Sequence, residues 1–213
     1  MKEEQIQEII KALLLGAHLM DHPYWALKLG YPTSVEATST PWGIIQVPAE
    51  QGGRRVSKQV SYPLAMTAHY EYPVRGDLPP VKLNWYDGGL YPPRPEMLPE
   101  GVTLNAEGGV FFIGDKGLLM HETYGRNPKL FPESLQEEAK LIPQTYNRVG
   151  TTHHMNWVQA CKGEAQAVSP FTYGAALTEN MLLGIVALRT GQGRKIMYDP
   201  VNMKVTNIPD ANQ

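Results

Sequence analysis

The chain has 213 residues, enough for one large domain with a sizeable core. Its formal net charge of −2 supplies no electrostatic case for nucleic acid or an anionic membrane, so neither is expected as a partner. One cysteine, Cys161, excludes an internal disulfide and fits a reducing compartment. No apolar run approaches the roughly 20 residues that span a bilayer. The polar, acidic start MKEEQIQEII is not a signal peptide, so the sequence as written reads as cytoplasmic, or periplasmic if a leader lies upstream.

Residues 2–22 are patterned as a helix. Glu3 and Glu4 complement the dipole of its first turn, and Ile6, Ile9, Ile10, Leu13 and Ala17 recur at three- and four-residue spacing. Pro23 has no amide proton to donate and should kink or end the helix near His22, with a further turn through Trp25–Leu29 stopped at Gly30.

Ser34–Thr40 then reads as a strand, and residues 41–58 as a surface excursion. Ser61–Tyr72 alternates clearly. Tyr62, Leu64, Met66, Ala68, Tyr70 and Tyr72 share one face, while Thr67, His69 and Glu71 share the other. Val81–Tyr86 is a second alternating strand. A hairpin is expected from Gly109–Ile113 and Leu118–His121 around Gly114-Asp115-Lys116-Gly117.

Residues 124–148 read as loop, with a short helix at Glu133–Lys140. Helices are expected at Thr152–Cys161, capped by Thr151 or Thr152, and at Ala175–Thr190, with a stripe of Leu177, Met181, Ile185 and Leu188. Lys195–Thr206 closes the chain as a strand and turn. No repeat or linker divides the sequence, so residues 1–213 are expected to form a single domain.

Few residues could carry chemistry. His18, Asp21 and His22, at spacings of three and four, share one helical face. That geometry suits acid–base groups or metal ligands, although a third strong ligand position is missing; the bland alternative is a packed histidine with Asp21 as its partner. His69, between Thr67 and Glu71, marks either a polar sheet face or a binding surface. His153 and His154 diverge at a helix start, so at most one of them enters a pocket, with Trp157 one turn on.

His121-Glu122 reads as structural or exposed, and Cys161 as a buried, inert thiol. Gly191-Gln192-Gly193 follows a helix instead of opening one and is a helix stop, not a dinucleotide site. Tyr62, Tyr70, Tyr72, Trp85 and Tyr86 could stack on a sugar, or could serve packing or a subunit interface.

Several ordered blocks carry a resemblance. GAHLMDHPYWALKLGYPTSVEATS, VKLNWYDGG, GGVFFIGDKGLLMHETYGRNPKLFP, HHMNWVQACKGEAQAVSPFTYGAALTENMLLGIVALRTGQ and YDPVNMKVTNIPDAN together resemble the C-terminal domain of a bacterial branch of Gfo/Idh/MocA-family oxidoreductases. The likeness covers nearly all of residues 15–212 and leaves out residues 1–13. It implies an α+β fold with a large, mostly antiparallel open β-sheet and helices packed on one face, of the glucose-fructose oxidoreductase-like and dihydrodipicolinate reductase-like type.

The resemblance further implies a substrate-binding and oligomerisation domain acting on a sugar or polyol, with homo-oligomers forming through the sheet face. A complete member adds a Rossmann domain with NAD or NADP and a Glu-Lys-Pro motif. This chain has no GxGxxG and no Glu-Lys-Pro, so no cofactor is expected within it and alone it should be redox-inactive.

In the family's Asp-x-x-x-His-x-x-Asp signature, His18 matches the acid–base histidine and Asp21 the last aspartate, while Leu14 stands where the first aspartate would be. His22, His69, His154 and Trp157 are the expected substrate-binding residues. Two other readings remain at this point: a stand-alone, non-catalytic carbohydrate-binding or assembly module, and a metal-dependent hydrolase using His18 and His22.

Overall fold

The computed structural model describes residues 16–40, 44–46, 55–57, 63–146 and 148–212. Leu14, Tyr62 and most of the first expected helix lie outside them. The architecture is α+β: a large antiparallel open sheet carries helices on one face.

Five strands form that sheet in the order β10-β9-β1-β4-β5. They are β1 (Ser34–Ser39), β4 (Met66–Tyr72), β5 (Val81–Tyr86), β9 (Ile196–Asp199) and β10 (Lys204–Val205). Every pairing is antiparallel, and Val35 lies opposite Tyr70 on one side and Ile196 on the other. Because side chains alternate across a strand, this register puts Val35, Ala37, Met66, Ala68, Tyr70, Tyr72 and Ile196 on one buried face. The alternation expected of β4 holds within the strand. Leu64, however, precedes the strand and is 79% exposed, so it does not join that face.

The covering helix is α4 (Phe171–Thr190). It starts four residues before the expected position, because its first turn is set by backbone: the amides of Tyr173 and Gly174 donate to the Pro170 carbonyl. Leu177, Met181 and Leu188 of the expected stripe are buried, with Leu183, Gly184 and Ala187 beside them, while Ile185 is half-buried.

Gly184 sets the approach of helix to sheet, since a Cβ there would lie 2.4 Å from the Tyr70 hydroxyl. Asn180, wholly buried, accepts a hydrogen bond from the Tyr72 hydroxyl (2.9 Å) and donates to the carbonyls of Gly30 (3.0 Å) and Ala176 (2.8 Å). At 20 residues α4 is also long and apolar enough to cross a bilayer, contrary to the expectation that no such run exists. Here its stripe is buried against the sheet.

A smaller sheet is built by β6 (Gly109–Ile113), β7 (Leu118–Glu122) and β8 (Lys129–Phe131). The hairpin is as expected, closed by the Gly114 amide on the Gly117 carbonyl (2.9 Å). Strand β8, three residues between Pro128 and Pro132, was expected as loop. So were β2 (Ile44–Gln46) and β3 (Arg55–Ser57), which pair within the expected excursion.

Two further helices are α2 (Glu133–Lys140), as expected, and α3 (His153–Cys161). Thr152 caps α3 by accepting from the Met155 amide. Cys161 is exposed, not buried as expected, because the buried residue of α3 is Asn156, which ties down the carbonyl of Gln166 and the amide of Val168.

Candidate functional site

The segment at 16–26 joins the two sheets. A helical turn at 16–19 is separated at Met20 from helix α1 (Asp21–Ala26). The break falls where Pro23 acts: its ring crowds the Leu19 carbonyl and its nitrogen has no proton to offer that carbonyl. Hydrogen bonding resumes from the Tyr24 amide to Met20 (3.0 Å), so the chain bends upstream of the proline and continues through it. The end comes at Lys28, in the left-handed region (φ 48), two residues before the expected stop at Gly30.

On one side the segment is fixed to α4. Gly16 leaves no room for a Cβ beside Met181, and the rings of Tyr24 and Tyr173 meet edge to face at 5.5 Å. The Tyr173 hydroxyl donates to Asp21 Oδ1 at 2.5 Å, a short charge-assisted bond. Burial and the adjacent Asp21 carboxylate push the Tyr173 phenol well above its ordinary range, which keeps it a donor.

On the other side lies the smaller sheet. His22 meets His121 edge-on at 4.8 Å, and His121 packs on Phe112 at 5.8 Å. His121 Nδ1 lies 2.8 Å from the Glu122 carbonyl and therefore donates to it. His22 Nδ1 is buried with no hydrogen-bond partner. Burial lowers the pKa of His22 and the neighbouring His121 lowers it further, while Asp21 pulls the other way.

His18 faces the 3-10 turn Thr123–Gly125 that leaves β7, its half-buried imidazole 4.7 Å from the ring of exposed Tyr124. Among the described residues no hydrogen bond holds that imidazole.

The structure therefore gathers His18, Asp21 and His22 within one short segment but gives each a different neighbour: Tyr124, Tyr173 and His121. Among the described residues no group of histidine, cysteine, aspartate and glutamate is arranged to hold a metal ion. His121, expected to be structural or exposed, is buried in the cluster. Tyr124 and Tyr173 join it without any local signal, since Tyr173 lies 152 residues from Asp21.

The remaining expected residues lie elsewhere. His69 is on the open face of the large sheet, its Nδ1 2.7 Å from Asn84 Oδ1. It lines a shallow pocket of about 270 Å³ with Glu36, Glu71, Lys82, Asn84 and Lys195. His154 and Trp157 are exposed on α3, where the His154 ring meets that of His153 at a tilt of 40°, centroids 3.9 Å apart. Among the described residues no hydrogen bond or ring contact joins either of them to His18.

Gly191-Gln192-Gly193 closes α4, with Gly191 at φ 125. That is the carbonyl end of the helix, the wrong pole for a pyrophosphate. No protein-family model matches the chain, and no curated protein is significantly similar to it.

Proposed function

We propose that this chain is the substrate-binding and oligomerisation domain of a Gfo/Idh/MocA-type oxidoreductase acting on a sugar or polyol. The observation that carries the reading is His18, a partly exposed imidazole that no hydrogen bond holds among the described residues, presented on a segment that Tyr173 anchors through Asp21. Oxidising a carbinol requires the hydroxyl proton to leave, and a neutral imidazole is suited to receive it. The chain's share of the chemistry is that proton.

The glycine pair Gly191 and Gly193 lies at a helix carbonyl end and offers no pyrophosphate cradle, and we assign the hydride acceptor, NAD or NADP by the resemblance, to a site outside it. That site belongs to another domain or chain. Oligomerisation is assigned to the open face of the large sheet, which carries both charge signs in Glu36, Glu71, Lys82 and Lys195. A monomeric mass by light scattering at micromolar concentration would remove that part.

The test of the site is the His18 imidazole resonance, assigned by its loss in H18N, during titration with neutral and acidic hexoses and polyols. A saturable shift is expected with at least one of them. A resonance indifferent to the whole panel overturns the proposal. A second reading, carbohydrate binding without catalysis, is favoured by Asp21 Oδ1 being engaged by Tyr173 and by the lack of a hydrogen bond orienting His18 among the described residues. Under it the same shift occurs, but adding a nicotinamide cofactor and the cofactor-binding domain of a complete family member yields no turnover.

A further inference from the structure

We infer that the sugar bound at His18 carries an anionic group, a carboxylate or a phosphate, and that Arg126 reads it; this rests on the sugar-site reading of His18. The argument begins with the backbone. Tyr124 holds φ 64 and ψ 22, left-handed geometry that a bulky side chain enters only at a cost of order 1 kcal/mol.

Its surroundings hold it there. The Glu122 amide donates to the Arg126 carbonyl (2.8 Å), the Thr123 hydroxyl to the Glu107 carbonyl (3.1 Å) and the Asn127 amide group to Glu122 Oε2 (2.8 Å). Backbone strain maintained by so many bonds calls for a reason in what it positions.

What it positions is a run of three groups. The Tyr124 ring lies against the His18 imidazole at 4.7 Å, and the Arg126 guanidinium carbon is 5.4 Å from the same ring's centroid. The imidazole and the guanidinium thus neighbour the same tyrosine ring. Among the described residues no carboxylate lies within ion-pair distance of the guanidinium; Glu122, its near neighbour in sequence, accepts from the Asn127 amide group through Oε2.

An exposed guanidinium over an aromatic face keeps its planar fork of donors for a ligand, and that fork matches carboxylate and phosphate oxygens. A pyranose ring is about as wide as a phenol ring. A hexose with its reacting hydroxyl at His18 can therefore lie along Tyr124 and present a charged substituent to Arg126.

The experiment titrates the full chain with glucuronate, glucose 6-phosphate and glucose, following the His18 resonance. The better of the two charged sugars should bind at least about tenfold more tightly than glucose, the discrimination one charge-assisted contact supplies. Which of the two binds better identifies the anion as carboxylate or phosphate. R126Q should bring both down to the level of glucose, and R126K, which keeps the charge but loses the fork, should fall between. The His18 resonance of ligand-free R126Q should stay in place, showing that the stack is intact.

Equal binding of glucose and both charged sugars overturns the inference and leaves the sugar site standing, as does a preference that survives R126Q. If none of the three moves the His18 resonance but a neutral member of the wider panel does, the inference alone falls; if an acidic member does, the inference requires that R126Q weaken its binding and falls if R126Q does not. If no panel member moves it, both fall.

Discussion

Two buried polar clusters in this protein are built on opposite terms. Around Asn180, beneath α4, the side-chain oxygen receives the Tyr72 hydroxyl and the amide group reaches two backbone carbonyls, so its oxygen and its amide nitrogen are both paired. Around His22, between α1 and β7, an imidazole nitrogen is buried with no hydrogen-bond partner and meets a second imidazole edge-on. Leaving a buried polar atom unpaired costs about 1–3 kcal/mol, so the second cluster is tolerated where the first is optimised. Structure is held together at Asn180. At His22 the fold accepts a cost beside the residue proposed to do chemistry, a pattern met at functional sites.

The largest test of this contrast is Asn180→Ala. It strands the Tyr72 hydroxyl in a site without solvent, removes the donor to the Gly30 carbonyl and leaves a cavity as well, for a loss of about 3 kcal/mol. Urea denaturation followed by circular dichroism should show a lower midpoint with unchanged slope. A loss below about 1 kcal/mol would mean that the two clusters do not differ as described.

His22→Phe goes the other way, removing the unpaired nitrogen and keeping a planar ring, so at pH 7.5 stability should change by less than about 1.5 kcal/mol. The informative quantity is the pH dependence. The folded-state pKa of His22 lies below its ordinary value of 6.5, so on acidification the unfolded chain takes up the proton first. His22 therefore contributes full stability above pH 6.5 and loses it as the pH falls from there toward the depressed folded value. H22F should flatten that decline. A variant as acid-sensitive as the wild type would mean His22 is not the strained member of the pair.

The two clusters were unequally legible in the sequence. The chain pattern gave β5 to the residue, the hairpin to within one residue at Glu122, and the buried row of β4 from Met66 on, because period-two alternation and glycine-rich turns are local signals. The spacing of His18, Asp21 and His22 was read as one helical face, but the helix breaks at Met20 and the three meet Tyr124, Tyr173 and His121. Asn180 was not singled out, since an asparagine inside an apolar helix has no local mark until its tertiary partners are known. His121 could be read only as a strand residue, because its burial depends on α1 crossing β7. Tyr173, Tyr124 and the three-residue β8 were hidden for the same reason: long-range contact defines the first two, and flanking prolines mask the third.

The smallest effect expected is at Glu71, on the open face of the large sheet, and it supplies a third point on the scale: paired, but solvated. Glu71 accepts from the Ser34 hydroxyl (2.8 Å) and meets Lys195 at 3.2 Å, with both charged side chains more than 40% exposed. These two partners, Ser34 first, hold its carboxyl below the ordinary value of 4.5. The stabilisation they give is present above pH 4.5 and is lost as the pH falls from there through the lower folded value. Solvent screening keeps it under about 1 kcal/mol, so Glu71→Gln should cost a few tenths at neutral pH, and the difference from wild type should close in acid. A cost as large as that of Asn180→Ala would mean the open face is shielded in solution, as it would be if a second copy of the chain covered it, and the midpoint would then rise with protein concentration.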